Sequence, residues 1–239
     1  MNKDTLKNIL FLDIETVAET KTFQELPERK QELWTKKSSF FREAEEKTAE
    51  ELYERAGIYA EFGKVVVIAV GYFSDTEPEP KLRITAFEGN DEKQVLQQFA
   101  DLLNSKHFSS KDTRLCAHNG KEFDFPYIAR RMLVHGIELP PALQLSGKKP
   151  WEIPHFDTLE LWKFGDYKHY TSLDLLASIF DIESSKDDID GSQVNSVYYN
   201  ENNLERITEY CKRDVSVLVH VFLRLSQLPP VRPENITLV

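Results

Sequence analysis

Apolar residues first gather at Ile9–Ile14, hydrophobic on both faces until Asp13, which predicts a short buried strand. The next runs, Val65–Phe73 and Leu82–Phe87, read as two strands joined by a proline-containing turn over Asp75–Pro80. Between the first strand and the second the texture changes. Glu19–Arg55 holds ten acidic and eight basic residues, one proline and no glycine. Within it Ala49, Leu52, Tyr53 and Ala56 recur at i, i+3, i+4 and i+7, which predicts an amphipathic helix ending at Gly57. The stretch from about 19 to 56 therefore reads as a charged helical insertion.

Further along, Asp91–Ser105 carries Val95, Phe99, Leu102 and Leu103 at helical spacing. Arg114–Ala117 reads as a short strand, and Pro126–His135 as a helix with proline in its first turn. His155–Leu161 reads as another strand, Leu173–Phe180 as a short helix, and polar Glu183–Gln193 as a loop. A closing helix is predicted from Leu204 to Leu228, with Ile207, Cys211, Val215, Leu218 and Phe222 on one stripe. Asn202 with Glu205 suggests its capping box, and Pro229–Pro230 its stop. Residues 229–239 read as a tail, and 1–239 as one domain. This order predicts an α/β fold, a mixed sheet flanked by helices.

Composition narrows the function. At 239 residues, 41% hydrophobic and 29% charged, the chain is ordinary globular material. Cys116 and Cys211 form no CxxC pair, which excludes a disulfide scaffold and a cysteine zinc cluster and points to the reducing cytoplasm. The longest apolar run, Val65–Val70, is far too short for a bilayer, and the N-terminus lacks a signal-peptide pattern, so no membrane role is expected. A net charge of −10 argues against a broad, nonspecific grip on duplex nucleic acid. An enzyme with a small footprint remains compatible, and some carboxylates could serve as metal ligands.

Three fragments carry candidate chemistry. In Asp13-Ile14-Glu15 the strand period of two puts both carboxylates on one face, which is unfavourable at a buried edge unless a cation or a proton neutralises them. Alone, such a pair reads rather as a solvated strand end. Asp124 lies just before the helix that Pro126 opens, where an acid also serves as a simple helix-terminus residue. Its neighbours Asn119 and Phe123 suit a nucleotide's polar edge and base face. Tyr210 and Asp214 are spaced i, i+4 beside the apolar stripe of the last helix; alone, they read as a surface tyrosine and an aspartate paired with Lys212 or Arg213. Together Asp13, Glu15, Asp124 and Asp214 form a hard oxygen set suited to Mg²⁺ or Mn²⁺. Two such ions support phosphodiester hydrolysis, with neutral Tyr210 orienting water. His118, His155 and His169 lack ligand spacing, although His118 could reach substrate beside Asn119. Asp157 is either a fifth acid near the metals or a strand-end residue. The basic residues near these fragments are few and dispersed: Lys121, Arg130, Arg131, Lys168 and Lys186.

DIET, NGKEFDFPYI and YCKRD, in this order, resemble the three motifs of the DEDD exonuclease superfamily, in its tyrosine-bearing DEDDy branch. More narrowly, the chain is similar to stand-alone relatives of the proofreading exonuclease domain of family-B DNA polymerases. The likeness runs from about Asn8 to Leu228 and includes SLDLLASIFDI and SSKDDIDGSQV. It implies a ribonuclease-H-like fold and 3′–5′ exonuclease activity with two Mg²⁺ or Mn²⁺ ions. It also implies Asp13, Glu15, Asp124 and Asp214 as metal ligands, Tyr210 as the water-positioning residue, and Thr16, Asn119 and Phe123 at the terminal nucleotide. The expected partner is a single-stranded 3′ end, DNA favoured over RNA. The chain leaves no room for a polymerase domain, so proofreading would require a separate polymerase or repair partner. The alternatives are an oligoribonuclease or small-nucleotide phosphodiesterase, and a non-catalytic nucleic-acid-binding module. The likeness leaves the insertion unexplained.

Overall fold

The computed structural model describes residues 3–77, 79–166, 170–184 and 188–239. A six-stranded mixed sheet forms its centre, in the order β5-β4-β1-β2-β3-β6. The strands are β1 (Ile9–Ala18), β2 (Gly63–Asp75), β3 (Lys81–Glu88), β4 (Arg114–Ala117), β5 (Phe156–Asp157) and β6 (Ile236–Leu238). β1 runs antiparallel to β2 and parallel to β4, so the central strand joins a hairpin meander to a parallel edge. The helices are α1 (Glu28–Ser38), α2 (Glu92–Asn104), α3 (Asp124–Val134), α4 (Thr158–Lys163), α5 (Leu173–Ile179), α6 (Val194–Ser196) and α7 (Leu204–Leu225). No helix among the described residues is long and apolar enough to cross a membrane.

Side-chain alternation on β1 sorts the core into two layers. Leu10, Leu12 and Ile14 pack with Val95 and Phe99 of α2 and with Ile128 of α3. Ile9 and Phe11 point to the other face, where Val215, Leu218 and Phe222 of α7 cover them. Phe11 meets Phe222 edge-on at 5.2 Å between ring centres. Continuing the odd series along β1 brings Asp13 and Glu15 to the α7 side.

Two predicted elements come out differently. Residues 49–56 do not form an α-helix. Trp34 of α1 donates its indole N–H to the Ala49 carbonyl (2.7 Å), and Tyr53 N–H turns to Glu50 instead (3.0 Å). The segment tightens into a 3-10 turn over Tyr53–Ile58, and the insertion's α-helix is α1, upstream. Trp34, Leu52, Tyr53, Ala56 and Phe62 then build a small core against Ala18. The expected strand over His155–Leu161 stops after two residues, because Asp157 Oδ1 accepts the Leu159 N–H (3.0 Å) and starts α4. A smaller shift moves the α7 cap from Asn202 to Asn203, whose side chain accepts the Arg206 N–H (3.1 Å). Within the expected tail, Ile236–Leu238 form β6, which pairs in parallel with β3 at the edge of the sheet.

His155 closes the far edge of this sheet. The Leu115 N–H of β4 donates to its Nδ1 (3.1 Å), so Nε2 carries the proton and donates to the Ala142 carbonyl (2.7 Å). Burial, with smaller contributions from nearby basic groups, pushes its pKa down to about 4. A folded-state pKa below the unfolded value means the unfolded chain binds the extra proton first. The neutral ring's contribution is therefore complete above about pH 6.5 and is lost as pH falls towards 4, by up to about 3 kcal/mol. In urea titrations at several pH values, the stability gap between wild type and His155→Gln should narrow across this window. Parallel pH curves for the two proteins would show that His155 does not titrate on unfolding.

Candidate active site

β4 ends at Ala117 while its neighbour β1 runs on to Ala18, so the second half of β1 lies beside the chain that leaves β4. That chain, residues 118–123, is folded tightly. Asn119 adopts a left-handed conformation (φ 60°), and its carbonyl accepts the Phe123 N–H (3.0 Å). Gly120 has to be glycine, since a Cβ there would stand 2.4 Å from the Ala117 Cβ and 3.0 Å from the Phe125 ring. Asp157 fixes the loop from the β5 side. Its carboxylate accepts the backbone N–H of Asn119 (2.9 Å), Lys121 (3.1 Å) and Leu159 (3.0 Å). Of its two sequence readings, the strand-end one describes these bonds. The turn ends in α3, whose first residue is the buried Asp124.

Asp13, Glu15, Asp124 and Asp214 come from three elements and act on one another electrostatically. Burial raises the Asp13 carboxyl well above the usual range, followed by the charges of Asp214, Glu15 and Asp124. Burial also raises Glu15, followed by the charges of Asp214 and Asp124. Asp124 is pushed up to about 7 by burial and by Asp157, against backbone hydrogen bonds at Asp124 and Ile14. A cluster of like charges at so buried a place calls for protons or a cation. Its donor set of hard oxygens fits a divalent ion of the Mg²⁺ class.

Two further groups face this cluster from α7. Tyr210 is buried, and its hydroxyl donates to Asp214 one turn on. Burial and the charges of Asp214, Glu15 and Asp13 hold the phenol far above its ordinary pKa, so it stays neutral. Cys211, expected only as a core residue, donates its S–H to Asp13 Oδ2 (3.3 Å). Its sulfur and carboxylate oxygens of Asp13 and Glu15 lie within 4.8 Å of one another. The sequence signal was present: position 211 stands three residues before Asp214, on the same helix face.

The remaining predicted contacts divide. The Asn119 side-chain amide has no hydrogen-bond partner among the described residues. Phe123 is half-buried, tilted against Tyr127 at 5.4 Å. Thr16, just past a bulge in the β1–β2 pairing, bonds to the Tyr127 hydroxyl, which donates in turn to the Gly57 carbonyl (2.7 Å). His118 has both ring nitrogens committed, Nδ1 to Thr158 Oγ1 (2.9 Å) and Nε2–H to the Thr171 carbonyl (2.8 Å). Of the basic candidates, Arg131 is buried in a pair with Glu92 (2.6 Å) and Lys121 is paired with Glu160 (2.6 Å). Arg130 is exposed, and Lys168, His169 and Lys186 lie outside the described residues.

Comparisons with known proteins bear on this arrangement. A family described as predicted 3′–5′ exonucleases related to the exonuclease domain of PolB matches residues 58–230, a span that holds Asp124, Tyr210 and Asp214 but begins after Asp13 and Glu15. Among solved structures, the family B DNA polymerase from the hyperthermophilic archaeon Pyrobaculum calidifontis is similar at a TM-score of 0.55 and 17% identity. That likeness covers 90% of this chain and 24% of the polymerase chain, and it shows the fold, the ribonuclease-H-like mixed sheet expected above. No curated protein sequence matches the chain.

Proposed function

The chain belongs to the family of predicted 3′–5′ exonucleases related to the exonuclease domain of PolB, and from that membership we propose that it shortens single-stranded DNA from the 3′ end. The observation that carries the proposal is the cluster of Asp13, Glu15, Asp124 and Asp214, whose negative charges converge on a buried site and raise the Asp13 and Glu15 carboxyls. These four carboxylates would hold two Mg²⁺ or Mn²⁺ ions. Bound there, such ions supply Lewis-acid stabilisation of the phosphate and lower the pKa of water. The protein's own groups position the reactants. Tyr210, kept protonated, holds a water by its hydroxyl rather than taking its proton. Thr16, Asn119 and Phe123 are assigned to the terminal nucleotide. Water oxygen joins phosphorus, the bond from phosphorus to the 3′ oxygen breaks, and that oxygen leaves with a proton. The product is a nucleoside 5′-monophosphate.

Matched DNA and RNA strands labelled at the 5′ end test this reading. Incubation with Mn²⁺ should give a ladder shortening from the 3′ end, faster on DNA. No cleavage of any strand would leave a binding module. Activity confined to di- and trinucleotides would instead indicate an oligoribonuclease. On the same substrate Tyr210→Phe, which removes only the hydroxyl, should slow turnover by ~10²-fold with little change in strand affinity. Unchanged turnover would reduce Tyr210 to a packing residue.

A further inference from the structure

Tyr170 stands between α4 and α5 and is 65% exposed. It is nevertheless held in place. His118 Nε2–H grips the carbonyl of the next residue, Thr171, and the His118 ring meets the Tyr170 ring edge-on at 6.1 Å. His118 is anchored in turn by Thr158 and directly precedes Asn119. The tyrosine ring is thereby fixed to the loop that carries Asn119, Phe123 and Asp124. Its phenol lies within electrostatic reach of the cluster: burial, then the charges of Asp124, Asp157 and Asp13, raises it above its ordinary pKa. Among the described residues its hydroxyl has no hydrogen-bond partner.

Resting on the exonuclease reading, we propose that Tyr170 is a base-stacking residue of the site, its open ring face packing on a nucleobase at the 3′ end of a single strand. Two observations favour a stacking contact over a charged one. The chain carries −10, and Arg131 and Lys121 are already paired with Glu92 and Glu160, so affinity has little basic surface to draw on. Every base offers a π face, and stacking on an aromatic ring gives sequence-tolerant affinity of roughly 10-fold or more per base. Phe123 is half-buried against Tyr127 and offers less free face than Tyr170.

The test uses the full chain and steady-state kinetics on a 5′-labelled single strand. Tyr170→Ala should raise KM by about 10-fold with kcat little changed, and Tyr170→Phe and Tyr170→Trp should keep the wild-type KM. A second readout places 2-aminopurine near the 3′ end, with Ca²⁺ in place of Mg²⁺. Its fluorescence should be quenched on binding wild type and much less on binding Tyr170→Ala. An unchanged KM in Tyr170→Ala, a fall confined to kcat, or Tyr170→Phe as impaired as Tyr170→Ala would overturn the proposal. Tyr170-dependent quenching in a protein that cuts no strand would overturn the exonuclease reading and keep the stacking contact. Digestion without Tyr170-dependent quenching would do the reverse.

Discussion

Asp13→Asn and Asp214→Asn should each lower turnover by about 10³-fold or more and leave the metal-free protein at least as stable as wild type. The two effects have one origin. Charge stabilisation of the reacting phosphate is the largest contribution such a site makes, and removing one carboxylate removes part of the means of supplying it. The folded protein meanwhile holds Asp13 and Glu15 buried under the charges of Asp214 and Asp124. An amide of the same shape relieves that repulsion. A relief of about 1 kcal/mol would raise the melting temperature by ~2–4 °C in a domain of this size. Melts in chelator, read beside rates with Mg²⁺, separate the cases. Loss of activity with a large fall in melting temperature would mark the aspartates as structural instead.

The repulsion was legible in the sequence because a strand's period is two. Once Ile9 and Phe11 face one helix, Asp13 and Glu15 must follow them. α2 was legible for a similar reason, with Asp91 capping a clean apolar stripe. What escaped depended on partners distant along the chain. No local pattern says that Trp34 will take the Ala49 carbonyl, so residues 49–56 kept their helical spacing on paper and formed a 3-10 turn in the fold. Asp157 looked like a member of the acidic site or of a strand end, and its three backbone donors, two of them far away in sequence, describe the second. Arg131 counts among the few basic residues near the motifs in sequence, and in the fold it is committed to Glu92 of α2. Cys211 was hidden by the opposite error, a polar contact on a residue type that usually packs.

Removal of divalent ions should abolish activity, and Mg²⁺ or Mn²⁺ should restore it. Ca²⁺ should bind without supporting comparable turnover, since its larger and looser coordination misplaces water and phosphate. A readout independent of catalysis accompanies this. A ligand that binds only the folded state stabilises it by RT ln(1 + [L]/Kd), so each ion should raise the wild-type melting temperature, and much less that of Asp13→Asn. The pH dependence has a definite sign. Asp124 is pushed up to about 7 in the fold, above its unfolded value near 3.8, so the metal-free protein gains from protonation. That contribution is full at low pH within this range and fades as pH rises from about 4 through 7. Metal must displace the same proton, so its apparent affinity should strengthen as pH rises through about 7, with protons released on binding. Titration calorimetry in buffers of different ionisation heat measures that release. Full activity in excess chelator, or metal affinity that ignores pH across this window, would show that these carboxylates do not hold the ions.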